Sequence, residues 1–181
     1  MESAFLPTRA AEEERYKAHQ NGPQDAGYVA FLNQAINPAL PYLNNTMHGL
    51  DYGCGPNPTL SGLLLSHGLQ CENYDPIFFP AFPDHCFDFI FATEVAEHFF
   101  HPAEELKRIS KLLLPGGILT LMTEHWSSLE GFAEWYYAKD MTHVCFYHSK
   151  TIEYICSQYG FNKMNPDSPR VSVLKKTGKT Q

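Results

Sequence analysis

The sequence predicts an α/β protein with a mostly parallel β-sheet covered by helices on both faces, and three observations support this fold class. From residue 47 onward, short apolar runs alternate with segments of helical periodicity, which is typical of strands joined by helical crossovers. The run at 87–92 is almost continuously apolar and aromatic, as in a strand buried on both faces. The length of 181 residues suits one domain with one core.

Two helices are predicted ahead of the first strand. The first covers 9–19, a segment rich in Ala and Glu. The second carries apolar side chains at helical spacing from Tyr28 to Ile36. Pro38 and Pro41 are expected to end it, because proline removes a hydrogen bond from a helix interior.

The remaining elements alternate along the chain. Strands are predicted at 47–52, 70–74, 87–92, 118–123 and 171–175. Helices are predicted at 59–67, 102–113, 129–138 and 150–159. Ligands of such sheets bind beyond the carboxyl ends of the parallel strands. The candidate site therefore comprises the strand exits at 51–58, Asp75, 93–98 and 123–126.

The first two strand exits indicate a cofactor that contains a nucleoside. Gly53 and Gly55 allow the backbone to pass under a ligand without a Cβ in the way. Asp75 follows the next strand, about 20 residues further on, where a carboxylate accepts hydrogen bonds from the two hydroxyls of a ribose. An ordinary strand–helix turn followed by a surface aspartate is the simpler alternative.

Charge indicates which nucleoside fits. Asp51 stands beside the loop, and Asn57 occupies the position of the third glycine of a dinucleotide-binding loop. A carboxylate at this place repels a pyrophosphate and favours a cation, so S-adenosylmethionine is preferred over NAD. The chain has 13 basic and 20 acidic residues, a net charge of −7. This balance argues against a nucleic-acid substrate, which requires a basic surface.

These motifs resemble those of class I S-adenosylmethionine-dependent methyltransferases, which have a Rossmann-like fold. Residues 51–58 resemble their first motif and Asp75 their ribose-binding acid. Residues 87–98 resemble the fourth motif, and 112–119 the turn into the fifth strand. The resemblance covers residues 46–125.

A narrower similarity lies outside this core. Segments 15–21, 27–32 and 140–147 are similar to a bacterial subgroup of small methyltransferases. We therefore expect a single methyltransferase domain over 1–181. It divides into an N-terminal helical cap (1–45), a cofactor-binding core (46–125) and an acceptor side with the C-terminal strands (126–181).

The resemblance implies S-adenosylmethionine as the methyl donor and S-adenosylhomocysteine as the product. Residues expected to hold the cofactor are Asp51, Tyr52, Gly53, Cys54, Gly55, Asp75, Pro76, Thr93 and Glu94. The reaction is an in-line displacement at a sulfonium carbon, in which positioning supplies most of the catalysis. An NAD-type oxidoreductase and a non-catalytic module that binds the cofactor are the alternatives.

His98 is the candidate general base, with Glu94 and Glu97 beside it. Alternatively, the Glu–His pair shapes the pocket or caps the next helix. A small-molecule methyl acceptor is expected to contact Tyr16, His19, Tyr28, Trp126 and His143, with core packing as the alternative for aromatic residues in this region, such as Tyr136 and Tyr137. The acceptor and the atom that receives the methyl group stay open, as does the oligomeric state.

One connection is shorter than in the methyltransferases that the chain resembles. Only residues 76–87 separate the second predicted strand from the next, too few for a further strand with its two helices. We therefore predict that the usual third strand is missing or reduced to a loop. Phe78, Phe79 or Phe82 would then stack on the adenine.

No metal site is predicted. His143, Cys145 and His148 have no carboxylate at ligand spacing, and the five cysteines include no C-x-x-C pair. Reduced thiols, no visible signal peptide and no apolar run of about 20 residues indicate a cytoplasmic protein without a membrane span.

Overall fold

Helices and strands alternate along most of the described chain. The computed structural model describes residues 22–178, so the predicted helix at 9–19 lies outside it. The α-helices are α1 (Ala26–Ala39), α2 (Thr59–Ser66), α3 (Pro102–Leu112) and α4 (Ser149–Tyr159). The strands are β1 (His48–Tyr52), β2 (Gln70–Tyr74), β3 (Phe87–Thr93), β4 (Leu113–Met122), β5 (Phe161–Lys163) and β6 (Val171–Lys176).

The strands of the described chain form a six-stranded sheet in the order β2-β1-β3-β4-β6-β5. The first four strands in this order are mutually parallel. β6 runs antiparallel to β4, and β5 antiparallel to β6. The carboxyl ends of β1, β2, β3 and β4 therefore share one edge, and the predicted α/β class is confirmed.

The link between β2 and β3 contains no strand in the described structure. Residues 76–86 form a loop that is closed by an isolated antiparallel bridge between Asp75 and Phe79. Phe79 N–H donates to the Asp75 carbonyl at 3.0 Å, and Asp75 N–H donates in return at 3.1 Å. The predicted loss of the third strand is confirmed, and β2 is an edge strand of the described sheet.

Apolar side chains pack on both faces of the sheet. On one face, Ile36 of α1 and Leu64 of α2 belong to the same cluster as Phe89 of β3. On the other, Ile109 of α3 packs in a cluster with Ile90 of β3. Adjacent strand residues point to opposite faces, so β3 is buried on both sides, as its composition predicts.

Two local details of the structure differ from the sequence prediction. Pro38 does not end α1 but lies inside its last turn, where the missing N–H removes a single helical hydrogen bond. β5 is missing from the sequence prediction, because three residues carry too short a pattern. It begins directly after Gly160, whose φ of 70° ends α4 in a left-handed turn.

The helix predicted at 129–138 is wrong. Two short 3₁₀ helices, Phe132–Glu134 and Tyr136–Lys139, take its place. Trp135 between them is extended, and its indole N–H donates to the Glu124 carboxylate at 2.9 Å. This tertiary contact overrides the local helical pattern. No helix among residues 22–178 is long and apolar enough to cross a membrane.

Candidate functional site

Two adjoining cavities lie where β1, β2 and β3 end. The central chamber, about 270 Å³ in volume, is lined by residues 53–57 of the first loop and by Glu94 and His98 after β3. The Asp75 chamber, about 260 Å³, shares Gly53 and His98 with it. The shared lining residues make the two chambers one elongated cleft across the strand ends.

A third cavity extends the cleft on the other side. This Arg170 chamber, about 490 Å³, shares Glu94 and His143 with the central chamber. Its remaining wall includes Tyr137, from the irregular segment after β4, and Arg170, which precedes β6. The cleft therefore runs from Asp75 through the central chamber to Arg170.

The loop after β1 requires glycine for two separate reasons. Gly53 and Gly55 have φ values of 82° and 66°, a left-handed conformation that other L-residues adopt at a cost. Gly53 N–H donates to the Tyr74 carbonyl of β2 at 2.8 Å. A Cβ on Gly53 would lie 2.3 Å from Val95 Cγ2, whereas one on Gly55 would meet nothing within 4 Å. Asn57 does not adopt a positive φ.

Asp75 connects this loop to the end of β2. One carboxylate oxygen accepts a hydrogen bond from Gly55 N–H at 3.1 Å. The other accepts from Ile77 N–H at 2.8 Å and from Phe78 N–H at 3.0 Å. The Asp75 carboxylate is therefore held in place by backbone amides of both loops.

Carboxyl groups concentrate behind the first loop. Asp51 is only 3% exposed, and burial together with the nearby Asp75 carboxylate raises its pKa to about 7. Burial, followed by Asp51 and Glu94, raises the pKa of the Tyr28 hydroxyl in the central chamber to about 12. Burial also raises the pKa of the Cys54 thiol, so it is a neutral group here.

Glu94 occupies a strained position at the end of β3. Its φ is 49°, and among residues 22–178 it is the only non-glycine residue with a positive φ. Its carboxylate accepts from Tyr137 Oη at 3.3 Å and from Arg170 Nη1 at 3.2 Å. Burial and the neighbouring Glu97 carboxylate raise its pKa, while the Arg170 guanidinium opposes that rise.

His98 and His143 meet in the wall of the central chamber. The His98 ring contacts the His143 ring edge-on, with centroids 4.9 Å apart. Burial lowers the pKa of both imidazoles, so both rings are predominantly neutral near pH 7. Glu97, the residue before His98, is fully buried beside them.

Arg170 joins the side chains of the third chamber. Its guanidinium contacts the carboxylates of Glu94 and Glu124 and donates a hydrogen bond to Tyr136 Oη at 2.9 Å. It also lies over the Phe31 ring, 5.5 Å from the centroid. These contacts bring α1, the β3 exit and the segment after β4 together around one cation.

Most of the chain matches a known family. Residues 24–165 match a family described as a methyltransferase domain. This chain belongs to that methyltransferase domain family. No curated protein sequence matches the methyltransferase.

Solved structures share the fold at low sequence identity. A SAM-dependent methyltransferase from Archaeoglobus fulgidus is 16% identical with a TM-score of 0.60, over 81% of this chain and 94% of the other. The N-methyltransferase NodS from Bradyrhizobium japonicum, solved with S-adenosylhomocysteine, is 14% identical with a TM-score of 0.56, over 91% and 96%. Burkholderia thailandensis 1,6-didemethyltoxoflavin-N1-methyltransferase, bound to 1,6-didemethyltoxoflavin and S-adenosylhomocysteine, is 14% identical with a TM-score of 0.60, over 79% and 78%.

The methyltransferase brings the predicted cofactor residues to the cleft or directly behind it. Those that line the central chamber are Gly53, Cys54, Gly55, Thr93 and Glu94. Those that line the Asp75 chamber are Tyr52, Gly53, Asp75 and Pro76. Asp51 does not line the central chamber. Their role in holding a cofactor stays a prediction.

The predicted acceptor residues are divided among different places. Tyr28 and His143 line the central chamber. Trp126 does not; it lies in a separate cavity and packs against His148, with ring centroids 4.6 Å apart. The structure thus places Trp126 outside the cleft, because the chain after β4 turns away there. Tyr16 and His19 lie outside the described residues.

The phenylalanines of the shortened link lie elsewhere than expected. Phe78, Phe79 and Phe82 do not line the Asp75 chamber, whose apolar wall includes Val95 and Phe99. The Phe82 ring instead packs edge-on against Tyr74, with centroids 5.1 Å apart. The adenine-stacking prediction for the phenylalanines is therefore not supported by their placement.

Sequence reasoning missed Arg170. The signal that identifies it is the direction of the last strand: since β6 is antiparallel to β4, its first residues lie beside the carboxyl end of β4. Arg170 immediately precedes β6, so its side chain reaches the same edge of the sheet as Glu94.

Proposed function

We propose that this methyltransferase transfers the methyl group of S-adenosylmethionine to a small molecule by in-line displacement. The observation that carries the proposal is the coupling of the glycine loop to Asp75, through the hydrogen bond from Gly55 N–H at 3.1 Å. The hydrogen bond places the glycine loop, whose backbone a ligand can approach closely, beside a carboxylate that can accept hydrogen bonds from ribose hydroxyls.

The cleft offers a separate region for each part of the reactants. The Asp75 chamber would hold the adenosine, with Asp75 at the ribose and with Val95 and Phe99 against the adenine. The central chamber would hold the methionine part beside the glycine loop. The Arg170 chamber, which opens from it, would then admit the methyl acceptor.

The charge of the cleft suits this donor. S-adenosylmethionine carries an ammonium and a sulfonium, and the groups nearest the central chamber include the carboxyls of Asp51, Glu94 and Glu97. Burial raises the pKa of all three groups, and a bound cation would favour their ionised form, with which it interacts more strongly here than in water. The structural neighbours solved with S-adenosylhomocysteine agree with this assignment.

Catalysis in this arrangement depends mainly on positioning. The sulfonium is already a good leaving group, so alignment of the acceptor with the methyl carbon supplies most of the rate. Glu94 and His98 border the central chamber, and His98 is a neutral imidazole near pH 7. An acceptor that keeps its proton until attack would transfer it to one of these groups.

Calorimetric titration of the full-length protein tests the assignment of the cofactor. S-adenosylhomocysteine is expected to bind, and NADH is not. Asp75→Ala is expected to weaken S-adenosylhomocysteine binding by about 10- to 100-fold, since two hydrogen bonds to a charged carboxylate are lost. Asp84→Ala is the matched control, because Asp84 lies in the same loop with its side chain fully exposed.

Two outcomes would contradict the proposal. Tight NADH binding without S-adenosylhomocysteine binding would assign the cleft to an oxidoreductase. Unchanged affinity in Asp75→Ala would show that the ribose lies elsewhere. Transfer of a labelled methyl group to a component of a small-molecule mixture would separate an enzyme from a module that only binds the cofactor.

A further inference from the structure

We propose that Glu97, His98 and His143 bind a divalent transition-metal ion in the wall of the central chamber. One donor atom from each residue lies within 4.8 Å of the other two, a spacing that can enclose one ion. All three residues line the same chamber. This site goes beyond the proposed methyl transfer, and it departs from the sequence prediction, which includes no metal.

The two imidazoles are oriented as metal ligands usually are. His98 Nδ1 donates to the Thr142 carbonyl at 2.9 Å, and His143 Nδ1 donates to the Tyr137 carbonyl at 2.7 Å. In each neutral ring the lone pair is therefore on Nε2. A carbonyl on the second ring nitrogen fixes the tautomer and the orientation of metal-binding histidines.

Glu97 gives the independent evidence for a cation. Its side chain is fully buried, and among the described residues neither carboxylate oxygen has a hydrogen-bond partner. Burial raises the pKa of Glu97; the nearby Tyr137 and Thr123 hydroxyls oppose that rise, but neither forms a hydrogen bond of normal geometry with its carboxyl group. Burying an unpaired carboxyl group is costly, and a bound cation removes that cost.

The donor set selects the class of metal. Two imidazole nitrogens and one carboxylate oxygen suit first-row ions such as Zn²⁺, Fe²⁺, Mn²⁺ or Co²⁺, whereas Mg²⁺ and Ca²⁺ prefer oxygen ligands throughout. Three protein ligands leave at least one coordination position for another molecule. Because all three residues line the central chamber, that position would be accessible to a molecule in the cleft.

The position of the ion implies a class of acceptor, an inference that rests on the proposed function. His143 also lines the Arg170 chamber, so an acceptor there can reach the ion with a hydroxyl oxygen. Coordination lowers the pKa of that hydroxyl, and its proton passes to water. The oxygen lone pair then forms the bond to the methyl carbon as the carbon–sulfur bond breaks, and S-adenosylhomocysteine leaves as a neutral thioether. His98 in this arrangement is a metal ligand and not the base.

The test uses Co²⁺ as the probe, followed by its visible absorption in metal-free full-length protein. A second cluster, His48, Glu72 and His85, also has donor atoms within 4.8 Å and lies half exposed on the surface. All variants therefore carry His85→Ala to remove it. In this background we expect one Co²⁺ per chain, and Glu97→Gln should weaken its binding at least tenfold.

The control is Glu124→Gln, because the Glu124 side chain is only 19% exposed and lies outside the cluster. It should bind Co²⁺ as tightly as the background protein. His143→Ala is the second variant, in case Glu97→Gln does not fold, and it should also lose the ion. Circular dichroism and urea unfolding of each variant verify that the rest of the molecule is intact, and S-adenosylhomocysteine is titrated into the His85→Ala background protein.

The outcomes separate the metal site from the proposed function. If S-adenosylhomocysteine binds but Co²⁺ does not, or if Glu97→Gln binds Co²⁺ like the control, the metal site is wrong and Glu97 is a neutral buried acid. If Co²⁺ binds but S-adenosylhomocysteine does not, the proposed function fails and the metal site stands. Catechol added to the Co²⁺ protein should change its spectrum, and an unchanged spectrum would overturn the oxygen-acceptor inference.

Discussion

The two ends of the cleft are built by different means. At the Asp75 chamber the geometry is set by the backbone: Gly53 adopts a left-handed φ, and three amides fix the Asp75 carboxylate. At the Arg170 chamber it is set by side chains distant in sequence. Arg170 reaches Glu94 across 76 residues and Glu124 across 46.

Because of this difference, we expect the shape of the Asp75 chamber to tolerate substitutions better than the shape of the Arg170 chamber does. Away from its glycines, a pocket made by backbone turns keeps its shape through most substitutions, because every residue except proline has the same backbone N–H and C=O groups. A pocket made by a side-chain network changes when one of its members is replaced. We infer that the first half suits one invariant cofactor and that the second can be adapted to different acceptors.

The largest expected effect is at Gly53. Gly53→Ala adds both left-handed strain and a contact 2.3 Å from Val95, so the free energy of unfolding should fall by about 2–4 kcal/mol. S-adenosylhomocysteine affinity should fall at least tenfold because the loop shifts. Urea unfolding and calorimetry measure the two effects.

Two glycines are controls for this substitution. Gly55→Ala adds strain without a contact and should cost about 1–2 kcal/mol. In the segment after β4, a Cβ on Gly131 would lie 3.9 Å from Ser128 Oγ, an ordinary contact, and its φ is −89°. Gly131→Ala should therefore be nearly neutral. If Gly53→Ala and Gly131→Ala lowered the free energy of unfolding equally, the glycine loop would not depend on its backbone conformation more than the segment after β4 does.

A smaller effect is expected at Arg170. Arg170→Met leaves the Glu94 and Glu124 carboxylates without their shared cation, and the protein should lose about 1–3 kcal/mol at pH 8. The loss should shrink at pH 5, because Glu94 has a raised pKa and is then protonated. S-adenosylhomocysteine affinity should change little.

Arg108 is the matched arginine at the other end of the cleft. It pairs with Glu105 at 2.6 Å but is 45% exposed, so Arg108→Met should cost less than about 1 kcal/mol. Thermal and urea unfolding at both pH values give the comparison. A pH-independent loss in Arg170→Met would mean that packing, and not charge, accounts for its contribution.

The smallest expected effect is the release of a fraction of a proton from Asp51 when the cofactor binds. Its pKa of about 7 is raised from 3.8, so its burial destabilises the folded protein increasingly as the pH rises from about 4 to 7. The cofactor ammonium should lower that pKa, and binding at pH 7 should release about half a proton. Titrations in buffers of different ionisation enthalpy measure the release. Asp51→Asn should abolish it, and the same release in that variant would assign the proton to another group.

The backbone-built half is also the part that the sequence predicts well. Gly53, Gly55 and Asp75 are local signals, because strand, turn and helix follow within a few residues. The absence of the third strand is equally predictable, since the 76–87 link is too short to contain a strand and its helices. Such features depend on sterics and chain length alone.

The other half depends on contacts that no short segment contains. The 129–138 pattern predicts a helix, but Trp135 turns toward Glu124 instead. Glu97 and His143 are 46 positions apart in the numbering, and only the folded chain shows that they meet beside His98. Spacing along the sequence therefore does not reveal that these side chains form a cluster.

The shortened link between β2 and β3 leaves β2 as an edge strand of the described sheet. Among the described residues, no strand pairs with the outer side of β2, so its backbone N–H and C=O groups face outward. An unpaired edge strand can form hydrogen bonds with a strand from another molecule. β2 is only five residues long and carries the half-exposed Glu72 at its centre. Its shortness and that charge oppose sheet-to-sheet growth at this edge.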